Sequence, residues 1–222
     1  MKTIFHFIIL LSFFLLSHSA AVHADRHTTI QKQQQAKTEQ HMLTAESAYE
    51  KQDYKKALKN WMKATDLGNA DAAYNVGTMY ENDLGIDPKM FRNAKEKLNM
   101  ATIWYFTAAR LKNEDGAIRL AMMFHDHPTV RSKMMVRRIA KVYHRNMRGK
   151  NPDVINAYGV VLETLGSRSY EAWAAFTLAT ELGAENAAAG AARIRANFGP
   201  GGQETAKQSL TKLRKKLKIS AK

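Results

Sequence analysis

From residue 30 onward, apolar positions recur at three- and four-residue spacing in blocks of about a dozen residues. That period belongs to helices that bury one stripe and show water the other. Within 70–82, Ala73, Val76, Gly77 and Tyr80 share a stripe whose glycine lets a neighbouring helix approach closely. The run Asn82-Asp-Leu-Gly-Ile-Asp-Pro88 then ends the helix. Treated this way throughout, the pattern predicts helices over 30–51, 54–67, 70–82, 91–112, 114–124, 130–148, 153–165, 169–182, 185–197 and 203–218, and no strand. They pair into about five antiparallel hairpins.

Three of these blocks share a finer pattern, Ala-x-x-x-aromatic-x-x-Ala. It occurs as Ala57…Trp61…Ala64, Ala101…Tyr105…Ala108 and Ala172…Phe176…Ala179. Thr65-Asp66-Leu67-Gly68 and Thr180-Glu181-Leu182-Gly183 follow the first and third, and Ala72-Ala73 and Ala187-Ala188 come soon after. Glycine suits the left-handed residue that closes a helix, and Asn69 is a good cap for the next one. The aromatics are 44 and 71 residues apart, so one degenerate unit belongs near residue 140 and an insertion near 89–100.

The segment Ala70-Asp-Ala-Ala-Tyr-Asn-Val-Gly77-Thr-Met-Tyr80-Glu-Asn-Asp-Leu-Gly85, followed by Trp104-Tyr105-Phe-Thr-Ala108-Ala109, resembles the Sel-one-like repeat, a helix-turn-helix relative of the tetratricopeptide repeat. Ala48-Tyr49 through Asp53-Tyr54-Lys-Lys-Ala57 has the same style. The resemblance covers 45–124 and 154–192; Lys112 departs from it where the family has glycine. It implies an all-α, right-handed solenoid of hairpins that acts as a scaffold or adaptor for another protein. Such solenoids leave a concave groove along the first helix of each pair. On 70–82 the residues nearest that groove are Asn75, Met79 and Asn82.

The N-terminus has a different character. Lys2 precedes an apolar core over Ile4–Leu16 and a small, polar stretch to Ala24. That is the layout of an export signal, and its core is shorter than the ~20 apolar residues of a spanning helix. Cleavage is expected after Ala24, with Ser19-Ala20-Ala21 as the alternative site. The expected organisation is a signal peptide over 1–24, a Gln-rich arm over 25–44, the repeats over 45–198, and a Gly/Pro hinge with a basic helix over 199–222. With no cysteine and no Asn-x-Ser/Thr acceptor, a bacterial periplasmic or secreted protein without a transmembrane segment in its mature form is the expectation.

Charge is unevenly placed on this chain of 222 residues with net charge +14. Residues 25–116 carry 14 basic and 13 acidic side chains, whereas 117–222 carry 19 and 7. Two stretches concentrate the excess. On one helical face within 131–150 lie Arg137, Arg138, Lys141, Arg145 and Arg148, opposite Met135, Ile139, Val142, Tyr143 and Met147. The tail places Lys212, Arg214, Lys215 and Lys216 around a stripe of Leu210, Leu213 and Leu217. A capping helix and a surface-binding amphipathic helix both fit that tail. The second reading of the whole chain is therefore a cationic protein bound to anionic envelope polymers such as lipopolysaccharide or acidic lipid. Export and the lack of a recognition module argue against nucleic acid.

Candidate chemistry is sparse. His125-Asp126-His127 is the one dense group of potential metal ligands, and it lacks a distant fourth. Ser209-x-x-Lys212 has the spacing of a penicillin-binding nucleophile without its companion motifs. No zincin helix, nucleophile elbow or phosphate loop occurs. The sequence predicts no enzyme, no metal site and no cofactor.

Overall fold

Asparagine and aspartate side chains start four of the described helices. Asp53 accepts from the Lys56 amide at 3.2 Å, Asn69 from Ala72 at 2.7 Å, Asn93 from Glu96 at 3.0 Å and Asn113 from Gly116 at 2.5 Å. Each satisfies one of the amides that the first turn leaves without an internal partner. The computed structural model describes residues 26, 28–127, 133–164, 166 and 168–220, with the side chains of 133–137, 140 and 144 excepted. The expected signal peptide lies outside the described residues, as do the side chains of Met135 and Arg137.

Every regular element among the described residues is helical. In chain order they are α1 (28–50), α2 (Tyr54–Asp66), α3 (Ala70–Glu81), a 3₁₀ turn (Pro88–Met90), α4 (Ala94–Arg110), α5 (Glu114–Asp126) and α6 (Lys133–Asn146). A second 3₁₀ turn (Met147–Gly149) precedes α7 (Pro152–Thr164), α8 (Ser169–Glu181), α9 (Ala187–Arg195) and α10 (Gly202–Leu217). No helix among the described residues is long and apolar enough to cross a membrane.

Helix ends follow one device. Gly68 and Gly183 take φ of +93° and +103°, which glycine does without a Cβ penalty. The amides of Asn69 and Ala184 then bond back to the carbonyls of Ala64 and Ala179 at 3.0 and 2.9 Å. Lys112 stands in the corresponding place between Ala108 and Asn113, with φ of +76°, and the Asn113 amide reaches the Ala108 carbonyl at 3.0 Å. The lysine that departs from the glycine pattern keeps the glycine conformation.

The core is built from rings set against glycines. A Cβ on Gly77 would stand 2.8 Å from the Tyr105 ring, and one on Gly159 or Gly190 would stand 2.7 or 2.8 Å from Phe176. Phe176 therefore fills the space between α7 and α9, and Tyr105 seals α4 to α3. Near residue 140, where the aromatic spacing leaves a gap, the buried ring is Tyr143. Its hydroxyl donates to the Ala117 carbonyl, and Asn146 Nδ2 donates to the Ala109 carbonyl at 2.9 Å. Ile139 and Asn146 stand four before and three after Tyr143, where the rings at 61, 105 and 176 have alanines.

Two expected pairings are looser than the others. Helix α5 packs mainly on α4 and α7 and only lightly on α6. Its Gly116, where a Cβ would fall 2.6 Å from Ala108 Cβ, permits the close fit to α4. Helix α10 packs chiefly on α8. Leu213 and Leu217 are buried, so the tail's apolar stripe is occupied by the fold itself.

Candidate functional site

Helices α5, α7 and α9 together line a groove of about 680 Å³. Its first wall is Ile118, Ala121, Met122 and His125 on α5. Asp153, Asn156, Ala157 and Val160 on α7 form the middle. On α9 the lining is Asn186, Ala189, Gly190 and Arg193. In each helix the spacing is three and four residues, so one continuous face of each contributes. Part of Phe176 shows at the floor. Met122 on this lining is 48% exposed.

Counting from Asn69, Asn113 and Asn151, the sixth residue is Asn75, Arg119 and Ala157, and the twelfth is Glu81, His125 and Glu163. Between α3 and α5 the twelfth residue of one helix pairs with the sixth of the next. Arg119 Nε donates to Glu81 Oε2 at 3.0 Å, and Arg119 Nη2 donates to Glu81 Oε1. Tyr105 Oη adds a bond to Glu81 Oε2 at 2.7 Å. Between α5 and α7 the same two places hold His125 and Ala157, no bridge forms, and the groove is found there. Between α7 and α9 a bridge returns, from Arg193 to Glu163 at 2.6 and 2.7 Å.

Electrostatics follow these contacts. Burial alone would raise the Glu81 carboxyl, but the hydrogen bonds from Arg119 and Tyr105 outweigh it and hold the group below its ordinary value. The Glu81 bond keeps the Arg119 guanidinium firmly protonated. Burial pushes the Tyr105 hydroxyl up and raises that of Tyr158 to about 12. These are structural settings, since none of the groups faces the groove.

Of the residues expected near the open surface of α3, Met79 needs correction. Met79 is 1% exposed and belongs to the core, because α3 packs on α2 and on α4 and so buries more than one stripe. Asn75 is half-buried, and the exposed Asn82 donates its amide to the Thr78 carbonyl at 2.9 Å. None of the three lines the groove. By position along the helix, the α3 counterparts of Ile118, Ala121, Met122 and His125 are Tyr74, Gly77, Thr78 and Glu81. Sequence reasoning missed the wall on α5. The signal was there in Ile118 and Met122, which repeat four residues apart and lie off the stripe of Ala117, Leu120, Ala121 and Phe124.

Of the basic residues, Arg138, Lys141 and Arg145 on α6 and Arg148 on the following 3₁₀ turn are exposed, as are Lys212, Lys215 and Lys216 on α10. Arg214 is the exception: it is half-buried and paired with Glu181 on α8, so it is not a free surface cation. The Lys150 ammonium donates to the Lys218 carbonyl at 3.3 Å, which joins the ends of the two basic stretches. His125 lines the groove, whereas His127 acts electrostatically on Glu81. Among the described residues no three His, Cys, Asp or Glu side chains form a group able to hold a metal ion. Neither a protein-family model nor a curated protein sequence matches this chain.

Proposed function

We propose that the chain is an exported, periplasmic solenoid of Sel-one-like repeats that serves as a scaffold or adaptor without enzymatic activity, holding another protein along the groove of α5, α7 and α9. The observation that carries this reading is the groove itself, a continuous 680 Å³ channel lined by one face of three helices, with Met122 presented in it. The ring-and-glycine seams at 77/105 and 159/176/190 support the repeat assignment, as do the shared helix ends at 68, 112 and 183. Rigid helices presenting an apolar strip with a polar border suit recognition of an extended or helical segment.

The test is capture of a partner from envelope extract by the purified protein and by Ala189→Trp. Ala189 is an exposed groove residue, so the indole fills the channel without changing charge. A protein retained at moderate salt by the first and lost by the second supports the reading; equal retention by both contradicts it.

A second reading has its own observation. The Lys150–Lys218 contact brings Arg148 and Lys150 beside the end of α10, making one basic seam from two separate stretches. Binding of anionic envelope lipid or polysaccharide there would weaken steeply with salt, since exposed charges act over only about 8–10 Å at physiological ionic strength.

A further inference from the structure

The acidic residues of the second half of the chain divide sharply by position. Of seven, Glu163, Glu171 and Glu181 are each paired with an arginine: Arg193, Arg168 and Arg214. Asp126, Asp153 and Glu185 have no ion pair among the described residues, and all three line the groove. The seventh, Glu204, lies on α10 within reach of the Gln208 amide. In a region with 19 basic residues, carboxylates without an ion pair among the described residues, gathered on one channel, are set against the prevailing charge. Helix ends account for part of this. Asp153 sits in the first turn of α7 and Glu185 just before α9, where a negative charge favours the helix. Asp126 is the last residue of α5, where the helix dipole disfavours it.

The channel's other ionisable side chains, among the described residues, are Arg193 and His125. Arg193 is held by Glu163. Between the carboxylates lie Ile118, Met122 and Val160, and Asn156 Oδ1 has no hydrogen-bond partner. Among the described residues the groove therefore offers apolar contact and three carboxylates outside any ion pair.

From this arrangement, and resting on the proposed protein-binding role of the groove, we infer that its occupant is a cationic polypeptide segment, one in which lysine or arginine alternates with apolar side chains. The apolar residues seat against Ile118, Met122 and Val160, and the cations reach Asp126, Asp153 and Glu185. Charge sets the choice of partner and apolar contact holds it.

Three blocked, fluorescein-labelled nonapeptides test this by fluorescence anisotropy with the purified full chain: alternating Lys/Leu, Ser/Leu and Glu/Leu. The expected order is Lys/Leu tightest and Glu/Leu undetectable. The triple variant Asp126→Asn, Asp153→Asn, Glu185→Gln should weaken the Lys/Leu peptide by about tenfold or more, and Ala189→Trp should block it. Circular dichroism checks that both variants fold, and Asp126→Asn alone supplies a milder change at a helix end that gains by it. If Ser/Leu binds as tightly as Lys/Leu and the triple variant changes nothing, the cationic specificity is overturned while block by Ala189→Trp keeps the groove. If Lys/Leu binding survives Ala189→Trp, the groove itself is overturned. Absence of any peptide binding up to about 1 mM, a standard free energy near −4 kcal/mol, also overturns the inference. So does self-association in sedimentation velocity that Ala189→Trp abolishes, which gives the groove to a second copy.

Discussion

Arg119 on α5 grips Glu81 on α3 through one edge of its guanidinium, Nε and Nη2, with Nε 3.0 Å from Oε2, and the Tyr105 hydroxyl closes on the same oxygen at 2.7 Å. The bridge ties two helices separated in sequence by the whole of α4. The carboxylate it holds has a depressed pKa, so its contribution is present above the ordinary carboxylate value of about 4.3 and is lost as pH falls through its lower folded value. Stability of the protein should therefore decline from about pH 4 downward, and Glu81→Gln should make that decline shallower. Arg119→Met should cost about 2 kcal/mol at neutral pH, because it leaves Glu81 half-satisfied. Urea denaturation at pH 3 to 7 measures both.

The seam at Gly159 is equally specific. Glycine to alanine inside a helix normally gains up to about 1 kcal/mol. Here the new methyl would stand 2.7 Å from Phe176, whose ring is already pressed against Gly190 and has nowhere to retreat. Gly159→Ala should destabilise by about 2 kcal/mol. In a Phe176→Leu background most of that cost should vanish, and a double-mutant cycle reads the difference.

Lys112 pays a conformational cost that its counterparts avoid. With φ at +76° and its side chain exposed, Lys112→Gly should stabilise the protein by about 1 kcal/mol, seen as a raised urea midpoint with an unchanged slope. No gain on substitution would mean that this helix end is closed differently.

Much of the fold was legible because its determinants are local. Helix boundaries are set by Asn69, Asn113, Gly68 and Gly183, and each can be recognised from a few neighbouring residues. The buried ring of Tyr143 was legible only through a gap in aromatic spacing, since Ile139 and Asn146 stand where the other three rings have alanines. The groove was not legible at α3. Whether Met79 faces solvent depends on how many neighbours α3 packs against, and periodicity within one helix cannot count neighbours. Nor does sequence show that Arg214 is spoken for by Glu181, a partner 33 residues away.

The basic face makes a separate prediction. Arg138→Gln, Lys141→Gln and Arg145→Gln alter exposed side chains, so together they should change stability by no more than about 1 kcal/mol. If anionic surfaces are the target, the same triple change should sharply reduce sedimentation with vesicles of acidic phospholipid at low salt. Unaltered sedimentation would remove the second reading.

The chain contains no cysteine, so a single introduced thiol reports from one place alone. The most direct measurement is photo-crosslinking in intact cells from Met122→Cys in the groove, compared with Lys141→Cys on the basic face, each carrying a thiol-linked benzophenone. The account predicts one discrete protein adduct from position 122 and none from position 141. A discrete adduct from 141 with none from 122 would contradict it.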